Sequence, residues 1–586
     1  MEMYDEYIKK SGLEPKKYQR DGVEFCLRRE KDTATTACGR MIRGGIIADE
    51  MGLGKTIMMM GLILANFRRT LIVVPVALIA QWVAQIKKTI IDTGVKPDLS
   101  IAVFHGATGK RSVVLSEVNG SMVWCHRPPK RGGGVGGVRA RAIDIVITTY
   151  GCVGMEEPVV AAKTPKDPTL SLLTFRPDRV IFDEAHHLRN KSSRLFKGAM
   201  RVVAGTVTGG TVTAVRPIVW IVTGTPIQNK ISDLKSLCYI LGFGVGDLMT
   251  DEKRRSIRDD YVLRRTKESV GMVSAAGDGG VVVEDTWSDT AVVVQCAPRL
   301  QSLKHYKSQV PWTSENELDL SREIHQKARN TTDRAERLKL YTRMRQMCVW
   351  PALIDGEGGG GGGGGGDDGG DEVYGLSKEE YKTAVSKQSK LDRVVATMAA
   401  MAAEAATGTT AAATTEGMAA ERKSLVFCHY RREMTRLREM LLRGGGCGYY
   451  GEEEDIAIID GRVTGRERER ILAAAPKILI LQIRTCSEGL NLQSYSDVYF
   501  VSPHWNPCVE DQAIARCYRM GQTNGVRVFR FYMSDFVAEQ SGVPTGVGGM
   551  EEGGGGLSES ISTLDHKCEE IQERKRVLCE EFLCGV

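Results

Sequence analysis

Short apolar runs that alternate with helical patterns are the feature that most restricts the fold of this chain. Five such runs occur in the first 240 residues. They read TLIVVP (70–75), SIAVFHG (100–106), DIVITTYG (144–151), RVIFDEAHH (179–187) and IVWIVTGTP (218–226). Apolar strands separated by helices are typical of a parallel sheet in an α/β fold. The sequence therefore predicts an α/β lobe, and its polar strand ends predict ligand binding at the carboxyl edge of the sheet.

The same alternation returns in the second half of the chain and predicts a second α/β lobe. Its runs are KSLVFCHY (423–430), DIAIIDG (455–461), KILILQI (477–483), DVYFVSPHW (497–505) and VRVFRFYM (526–533). Between the lobes, residues 298–350 are polar, charged and helical in pattern, and 356–372 are rich in glycine. We predict a first lobe over 1–270, a helical protrusion with a glycine-rich linker over 271–385, a second lobe over 386–535, and a glycine-rich segment with a C-terminal helix over 536–586.

Composition limits the classes of function. A chain of 586 residues is too long for one core, and its net charge of +6 permits nucleic-acid binding without requiring it. No apolar run reaches the roughly 18 residues of a membrane span, and the charged amino terminus lacks a signal-peptide core. The 15 cysteines include no C-x-x-C pair, so we expect no structural zinc and a reducing compartment.

The octet DEMGLGKT (49–56) has the makings of a phosphate-binding loop. Gly52 and Gly54 allow a tight backbone path that points several N–H groups at phosphate, and a following helix N-terminus adds favourable partial charge. Lys55 suits the outer phosphates, and the Thr56 hydroxyl suits magnesium. The strict pattern has glycine where Asp49 stands, so the octet alone is also compatible with a glycine-rich turn and an exposed lysine.

Acidic and hydroxyl residues follow the last two apolar runs of the first lobe. Magnesium needs oxygen ligands, and hydrolysis needs a carboxylate near the attacking water. Asp183 suits the metal and Glu184 suits the base, although an acidic strand end that caps a helix has the same letters. Thr223, Gly224 and Thr225 are suited to sensing the nucleotide and passing the change to the second lobe, or they form an ordinary strand-end turn.

Three further polar residues are candidates for nucleotide contacts. Gln19 precedes the loop by about thirty residues, and its amide suits an adenine edge. Arg516 and Arg519 are three residues apart, which predicts one shared helix face. Arginines of a second lobe can complete an ATPase site in trans, so hydrolysis would depend on lobe closure. The alternatives are a surface helix start for Gln19 and a basic solvated helix for the arginines.

The order of these elements resembles the Swi/Snf family of ATPases in helicase superfamily two. DEMGLGKT is the form of the loop that this family uses, which accounts for the departure at residue 49. TGTPIQN (223–229), VLRRTKE (262–268), IDGRVTGRERERI (459–471), EGLNLQ (488–493) and HWNPCVEDQAIARCYRMGQ (504–522) resemble its other motifs. The resemblance covers residues 13 to 535 between glycine-rich insertions. It is nearest the branch of RING-bearing repair translocases and transcription-termination ATPases, but the RING cysteines are missing.

The resemblance implies two RecA-like lobes, a C-terminal brace helix, hydrolysis of ATP with Mg²⁺, and movement along double-stranded DNA without strand separation. The implied ATP contacts are Gln19, Asp49, Gly52, Leu53, Gly54, Lys55, Thr56 and Gln512. Mg²⁺ is implied at Thr56 and Asp183. The implied catalytic residues are Asp183, Glu184, Arg516 and Arg519, with coupling through Thr223, Gly224 and Thr225. The implied DNA contacts are Thr148, Asn491 and Trp505.

The expected partners are duplex DNA and the chromatin or other DNA-bound proteins that a motor displaces, with no membrane. The expected location is the nucleus, or a viral factory for a viral gene. Two alternatives remain: a DNA-binding scaffold with weak catalysis, and a DEAH-type RNA helicase. Such RNA helicases usually have QRxGRxGR where this chain has QAIARCYR (512–519).

Three residues depart from the family pattern. Tyr518 stands where the family usually has histidine, and Cys486 and Ser487 stand where it usually has two glycines. No charged catalytic group is missing, so we expect these changes to act on the coupling between DNA binding and hydrolysis.

Overall fold

The computed structural model divides into two units, each built around its own core. It describes residues 1–32, 34–35, 41–118, 121–126, 142–155, 172–204, 216–271, 282–284, 303–355, 372–407, 422–443, 453–486, 490–519, 522–536 and 562–583. The first unit comprises Met1–Gly271, Glu488–Leu490 and Lys575–Val586, and the second comprises Met272–Ser487 and Asn491–Arg574.

The first unit is built on a seven-stranded sheet in which every pairing is parallel. In spatial order its strands are Val262–Leu263, Gly44–Ile47, Ile218–Val222, Arg179–Asp183, Thr70–Val74, Ile145–Thr149 and Ile101–Phe104. Four of the five predicted runs form strands that are buried along their whole length, while the edge strand Ile101–Phe104 is buried at alternate residues. A parallel sheet covered on both faces needs such continuous apolar runs, which is why the sequence revealed them.

Helices cover this sheet and connect its strands. They are Glu2–Lys10, Lys17–Lys31, Lys55–Ala65, Ile79–Ile86, Gly106–Arg111, Tyr150–Gly154, Leu172–Phe175, Arg194–Val203, Ile231–Leu241 and Asp251–Tyr261. Shorter turns of helix are Val76–Leu78, Lys87–Ile91, Ala185–Leu188 and Gly246–Leu248. Two antiparallel hairpins pair Ala34–Thr35 with Met41–Ile42 and Val113–Val118 with Ser121–His126.

The second unit repeats the design with another seven-stranded parallel sheet. In spatial order its strands are Val282–Glu284, Leu303–Val310, Val526–Met533, Asp497–Phe500, Ser424–Cys428, Ile478–Gln482 and Ile456–Ile459. All five runs predicted in this half are strands. The predicted fold class, two parallel-sheet α/β lobes, is confirmed.

The helices of the second unit include the predicted C-terminal one. They are Glu315–Asn330, Arg334–Val349, Lys378–Ser386, Ser389–Thr407, Arg431–Arg443, Gly465–Ala474, Ile483–Cys486, Pro507–Ile514 and Leu564–Leu583, with shorter turns at Pro351–Leu353 and Glu453–Asp455; the last helix belongs to the second unit up to Arg574 and to the first unit from Lys575. A small hairpin pairs Glu372–Val373 with Leu376–Ser377. No helix among the described residues is both long and apolar enough to span a membrane.

The segment predicted as a separate helical protrusion is part of the second unit. Leu303–Val310 is a strand that pairs in parallel with Val526–Met533 along eight residues, whereas the sequence pattern indicated helix from 298. Most of its residues are polar and half-buried, so it lacks the continuous apolar run of the other strands. The two helices that follow contribute Leu320, Ile324 and Met344 to the core of the same unit.

Most of the glycine-rich insertions and Ser487 lie outside the described residues. The described strands nevertheless fix where the functional motifs meet. Ile47 and Asp183 are both in register with Val222, the last residue of the strand between them. Because parallel strands end at the same edge, the loops that follow these three strands share one edge of the first sheet.

Candidate active site

The phosphate loop joins a buried strand to the start of a helix, as predicted. Gly44–Ile47 ends just before the loop, and the helix Lys55–Ala65 begins just after Gly54. Gly52 and Gly54 have φ angles of 91° and 79°, in the left-handed region that favours glycine. The loop therefore has the backbone path that brings successive N–H groups and a helix N-terminus toward a phosphate.

Lys55 lies inside this loop, among acidic residues. Its Nζ donates hydrogen bonds to the backbone oxygens of Asp49 at 2.8 Å and Glu50 at 3.2 Å. Burial lowers the pKa of Lys55, while the negative charges of Glu184, Asp49 and Asp183 raise it. The predicted phosphate lysine and the predicted acidic pair thus belong to one electrostatic cluster.

Gln19 supports the loop from the helix Lys17–Lys31. Its side chain is 1% exposed, and its Nε2 donates to the backbone oxygen of Leu53 at 3.1 Å. A Cβ placed on Gly54 would lie 2.4 Å from the same Nε2. The amide that the sequence assigned to adenine is therefore packed against the phosphate loop, which excludes the alternative of an exposed helix start.

Gly54→Ala is expected to weaken binding of an ATP analogue at least about tenfold. The left-handed backbone costs a non-glycine residue about 1–2 kcal/mol, and the new methyl group would displace the Gln19 amide. Titration with a fluorescent ATP analogue measures this change. Gly465→Ala is the matched control, because a Cβ there meets no atom within 4 Å. Equal affinities of the two variants would contradict this account of the loop.

Asp183 and Glu184 stand where the strand Arg179–Asp183 ends. Trp82 Nε1 donates to Asp183 Oδ2 at 2.8 Å, and the backbone N–H of Glu184 donates to Asp183 Oδ1 at 3.0 Å. Burial, and next the adjacent Glu184 carboxylate, raises the pKa of Asp183 to about 6. Tyr150 Oη also donates to the Asp183 backbone oxygen at 2.6 Å, which fixes the strand end.

Glu184 has an unusual backbone conformation for a residue with a side chain. Its φ is 51°, in the left-handed region, where strain is commonly found at functional positions. Its Oε2 lies 3.4 Å from His186 Nδ1, and the rings of His186 and His187 stack with centroids 4.6 Å apart. The sequence did not reveal this contact between Glu184 and His186.

The turn Thr223–Thr225 lies beside the phosphate loop. Thr223 is fully buried, and its Oγ1 accepts from the backbone N–H of Thr225 at 3.2 Å. A Cβ placed on Gly224 would lie 2.8 Å from Met51 Cγ and 3.5 Å from Lys55 Nζ. Glycine at 224 therefore leaves room for the Met51 side chain of the loop, and the predicted coupling turn packs against the predicted phosphate loop.

A segment of the VLRRTKE motif contacts the phosphate loop through hydrogen bonds and ion pairs. We call this segment, residues 263–267, the strap. Arg265 Nε donates to Asp49 Oδ1 at 3.0 Å, and its Nη2 forms an ion pair with Asp49 Oδ2. Arg264 Nη1 donates to the backbone oxygens of Ala48 at 2.6 Å and Gly224 at 3.3 Å. The strap therefore touches both the phosphate loop and the coupling turn.

The strap also holds the next loop residue. Lys267 Nζ lies 2.9 Å from Glu50 Oε1, and the backbone N–H of Lys267 donates to Glu50 Oε2 at 2.7 Å. Asp49 is fully buried, so its charge depends on Arg265 for compensation. The departure of Asp49 from the strict loop pattern thus has a structural explanation. The motif is visible in the sequence, but its pattern assigns no role to Arg264, Arg265 or Lys267.

The predicted arginines of the second unit lie beyond the end of a helix. The helix Pro507–Ile514 ends before Arg516, and the chain then turns through Tyr518, whose backbone N–H donates to the Ile514 oxygen at 2.8 Å. The prediction that Arg516 and Arg519 share a helix face is therefore wrong. They are still electrostatic neighbours, since burial and then the charge of Arg516 lower the pKa of Arg519.

The side chains of Gln512 and Tyr518 are both buried in the second unit, and Tyr518 is one of the residues that differ from the family pattern. Gln512 is 3% exposed, and its Nε2 has no hydrogen-bond partner among the residues that the structure describes. Tyr518 is 3% exposed, so an aromatic side chain at this position packs into the unit. Cys486 ends the short helix Ile483–Cys486, and Ser487 is not described.

The three residues predicted to contact DNA differ in exposure. Thr148 is fully buried, and its Oγ1 donates to the Phe104 backbone oxygen at 2.8 Å, so in this conformation its hydroxyl is not available to DNA. Trp505 is partly buried against the core of the second unit, and Asn491 is exposed. The last two remain available for a surface contact.

Comparison with known proteins identifies the domains. The family model described as SNF2-related domain matches residues 18–248, and the helicase conserved C-terminal domain matches 411–521. The DNA excision repair protein ERCC-6-like of Danio rerio is 24% identical, over 90% of this chain and 35% of the relative. DNA repair protein RAD5 of Saccharomyces cerevisiae is 24% identical, over 85% of this chain and 52% of the relative. The chain thus spans about a third to a half of the length of these relatives.

Two solved structures align with most of this chain at low identity and with TM-scores below 0.5. The SWI2/SNF2 ATPase core of Sulfolobus solfataricus, in complex with dsDNA, aligns with a TM-score of 0.32 and 18% identity, over 89% of this chain and 88% of that one. The Hef helicase domain of Pyrococcus furiosus aligns with a TM-score of 0.45 and 13% identity, over 89% and 95%. On the two domain matches and the two parallel-sheet units, this chain has the SNF2-related domain and the helicase C-terminal domain that characterise the SNF2 family.

Proposed function

We propose that this chain is an ATP-dependent translocase on double-stranded DNA. The observation that carries the proposal is the cluster at one sheet edge, where Lys55, Asp183 and Glu184 interact electrostatically beside the turn at Gly224. A phosphate loop, a carboxylate pair and a coupling turn at one edge are the parts that hydrolysis of a nucleoside triphosphate requires. Relatives named for DNA excision repair and DNA repair support DNA as the track.

The residues of the cluster fit ATP with Mg²⁺. A bound Mg²⁺–ATP would supply the phosphoanhydride bond and the positive charge that offsets its phosphates. Lys55 would give up its contacts with the oxygens of Asp49 and Glu50 for the outer phosphates. Thr56 and Asp183 offer the hard oxygen donors that Mg²⁺ prefers.

Glu184 is the residue we assign to proton transfer. Its carboxylate lies in the cluster next to Asp183, and it would accept the proton of the attacking water while Lys55 and the loop hold the phosphates. The role of Arg516 and Arg519 as closing arginines, and that of Gln512 as an ATP contact, remain predictions.

Movement along DNA requires contacts that ignore base sequence. Phosphate contacts provide such affinity and make it sensitive to salt. Asn491 and the loop of Trp505 are the surface positions we assign to the DNA backbone. We propose that the motor displaces chromatin or other DNA-bound proteins in the nucleus, which a further relative supports: the chromodomain-helicase-DNA-binding protein 6 of Mus musculus is 24% identical, over 83% of this chain and 16% of the relative.

The test is ATP hydrolysis by the purified chain without nucleic acid and with duplex DNA, single-stranded DNA or RNA. We expect stimulation mainly by duplex DNA, because the proposed track is the duplex backbone. Stimulation by RNA alone would contradict the proposal and favour the RNA helicase. DNA binding without hydrolysis in any condition would indicate a scaffold.

A further inference from the structure

The helix Arg334–Val349 of the second unit is exposed in its N-terminal half and buried near its C-terminal end. Near its C-terminal end, Arg345 is 7% exposed, and its Nη2 donates to the Pro503 backbone oxygen. The guanidinium carbon of Arg345 lies 5.6 Å from the centroid of the Trp505 ring. This end of the helix therefore contacts the loop that we assign to DNA.

The helix face that contains Arg345 is exposed to solvent in the N-terminal part of the helix. At 3.6 residues per turn, positions 334, 338, 341 and 345 stack on one face, and 337 borders it. Leu338 is 68% exposed and Tyr341 is 38% exposed. Arg334 and Arg337 are exposed as well. We call Arg334, Arg337, Leu338 and Tyr341 the exposed stripe.

The two arginines of the stripe have no partner for their charge. Neither guanidinium makes a hydrogen bond or an ion pair with any other residue in the described part of the chain. Two other arginines, one on this helix and one on the preceding helix Glu315–Asn330, are engaged: Arg322 pairs with Asp319 at 3.1 Å, and Arg343 donates to the Ile354 backbone oxygen. The stripe therefore presents two uncompensated positive charges.

Nearby acidic groups do not neutralise the stripe. The Asp333 carboxylate caps the helix and accepts from the backbone N–H groups of Ala335 at 3.1 Å and Glu336 at 3.2 Å. Glu336 lies on the opposite side of the helix, since it is two residues from Arg334 and about 200° away around the axis at about 100° per residue. Glu336 therefore lies off the face of the stripe, and the Asp333 carboxylate is engaged by the backbone of the first turn.

We propose that the exposed stripe binds the sugar–phosphate backbone of duplex DNA and extends the contact made by the loop of Trp505. The inference rests on the proposed function. Guanidinium groups form strong paired hydrogen bonds with phosphate oxygens, while Tyr341 and Leu338 offer apolar surface to the sugars. The stripe lies along the same helix face as Arg345, within about 16 Å of axial rise, so one DNA backbone can reach both.

Arg334→Ala with Arg337→Ala in the full chain tests the stripe. We expect about a tenfold or larger decrease in affinity for a duplex oligonucleotide at about 0.1 M salt, because two phosphate contacts are removed. The slope of log affinity against log salt concentration should fall by about 2, since each phosphate contact accounts for about 0.9 of that slope. ATP hydrolysis without DNA, and the thermal midpoint, should remain unchanged because both residues are exposed.

Lys339→Ala with Lys382→Ala is the matched control. It removes the same charge from exposed positions of the same unit that are not on the stripe. Arginine variants with the affinity and salt slope of this control, in a chain that binds duplex DNA, would overturn the inference and leave the proposed function intact. A wild-type chain that binds no duplex DNA would overturn both.

Polyglutamate is a second probe, and it distinguishes a stripe that binds DNA from one that binds an acidic protein surface. If the arginine variants no longer bind polyglutamate but keep full affinity for duplex DNA, the stripe binds acidic protein and the inference is wrong. Reduced DNA affinity together with the reduced salt slope supports it.

Discussion

Glu184→Gln is expected to lower the rate of ATP hydrolysis by about 10²–10⁴-fold while leaving nucleotide binding nearly intact. Glutamine has a similar shape but cannot accept the proton of the attacking water, and positioned proton transfer contributes a factor of this size. Lys55 and the two glycines of the loop are unchanged, so the phosphates keep their contacts. Phosphate release at saturating ATP, with and without duplex DNA, measures the rate, and titration with an ATP analogue measures binding.

The control for this variant is Glu252→Gln, the same chemical change at an exposed position of the first unit. It should hydrolyse ATP at the wild-type rate. Hydrolysis by Glu184→Gln within a few fold of wild type, with the same thermal midpoint, would mean that another group activates the water. Loss of nucleotide binding together with hydrolysis would mean instead that Glu184 acts on the shape of the site, through its neighbour His186.

Arg265→Met is expected to lower the free energy of unfolding of the first unit by about 3–5 kcal/mol. It leaves the buried Asp49 carboxylate without its ion pair, and an uncompensated buried charge costs about this much. Affinity for ATP should fall as well, because Asp49 belongs to the phosphate loop. Urea unfolding followed by a signal from the first unit gives the stability, and titration with an ATP analogue gives the affinity.

Asp49→Gly added to Arg265→Met distinguishes the ion pair from general damage to the strap. The double variant has the loop residue of the strict pattern and no charge at either position, so it should recover much of the stability that the single variant lacks. Arg69→Met is the comparison at the surface, where the side chains of the pair with Asp178 are 40% and 47% exposed and the pair should contribute about 0–1 kcal/mol. A double variant as unstable as Arg265→Met would show that the pair is not what the arginine contributes.

The strap holds the phosphate loop through contacts within the protein. Arg264 and Arg265 hold the loop at Ala48 and Asp49, and Lys267 holds Glu50. Arg264 also donates to the Gly224 oxygen, so the same segment joins the phosphate loop to the coupling turn. A displacement of either would therefore be transmitted to the other through a few short contacts.

The sequence by itself determined the fold class and the parts of the nucleotide site. Each of the ten predicted strands is present, because a parallel strand between covered faces must be apolar along most of its length. The phosphate loop was recognised because only glycines and a following helix give that backbone path, and Gly52 and Gly54 have the positive φ angles that this requires. Each of these signals is local, because it lies within one short segment of the sequence.

The tertiary structure alone decided how distant residues combine. Asp49 and Arg265 are 216 residues apart, and nothing in either segment identifies the other as its partner. The strand Leu303–Val310 has polar residues and becomes a strand through its pairing with Val526–Met533. Arg516 and Arg519 lie in turns because the helix before them ends at Ile514, and Thr148 is buried because its strand is internal to the sheet. Pairing, burial and chain ends depend on contacts across the fold, and a local pattern does not contain them.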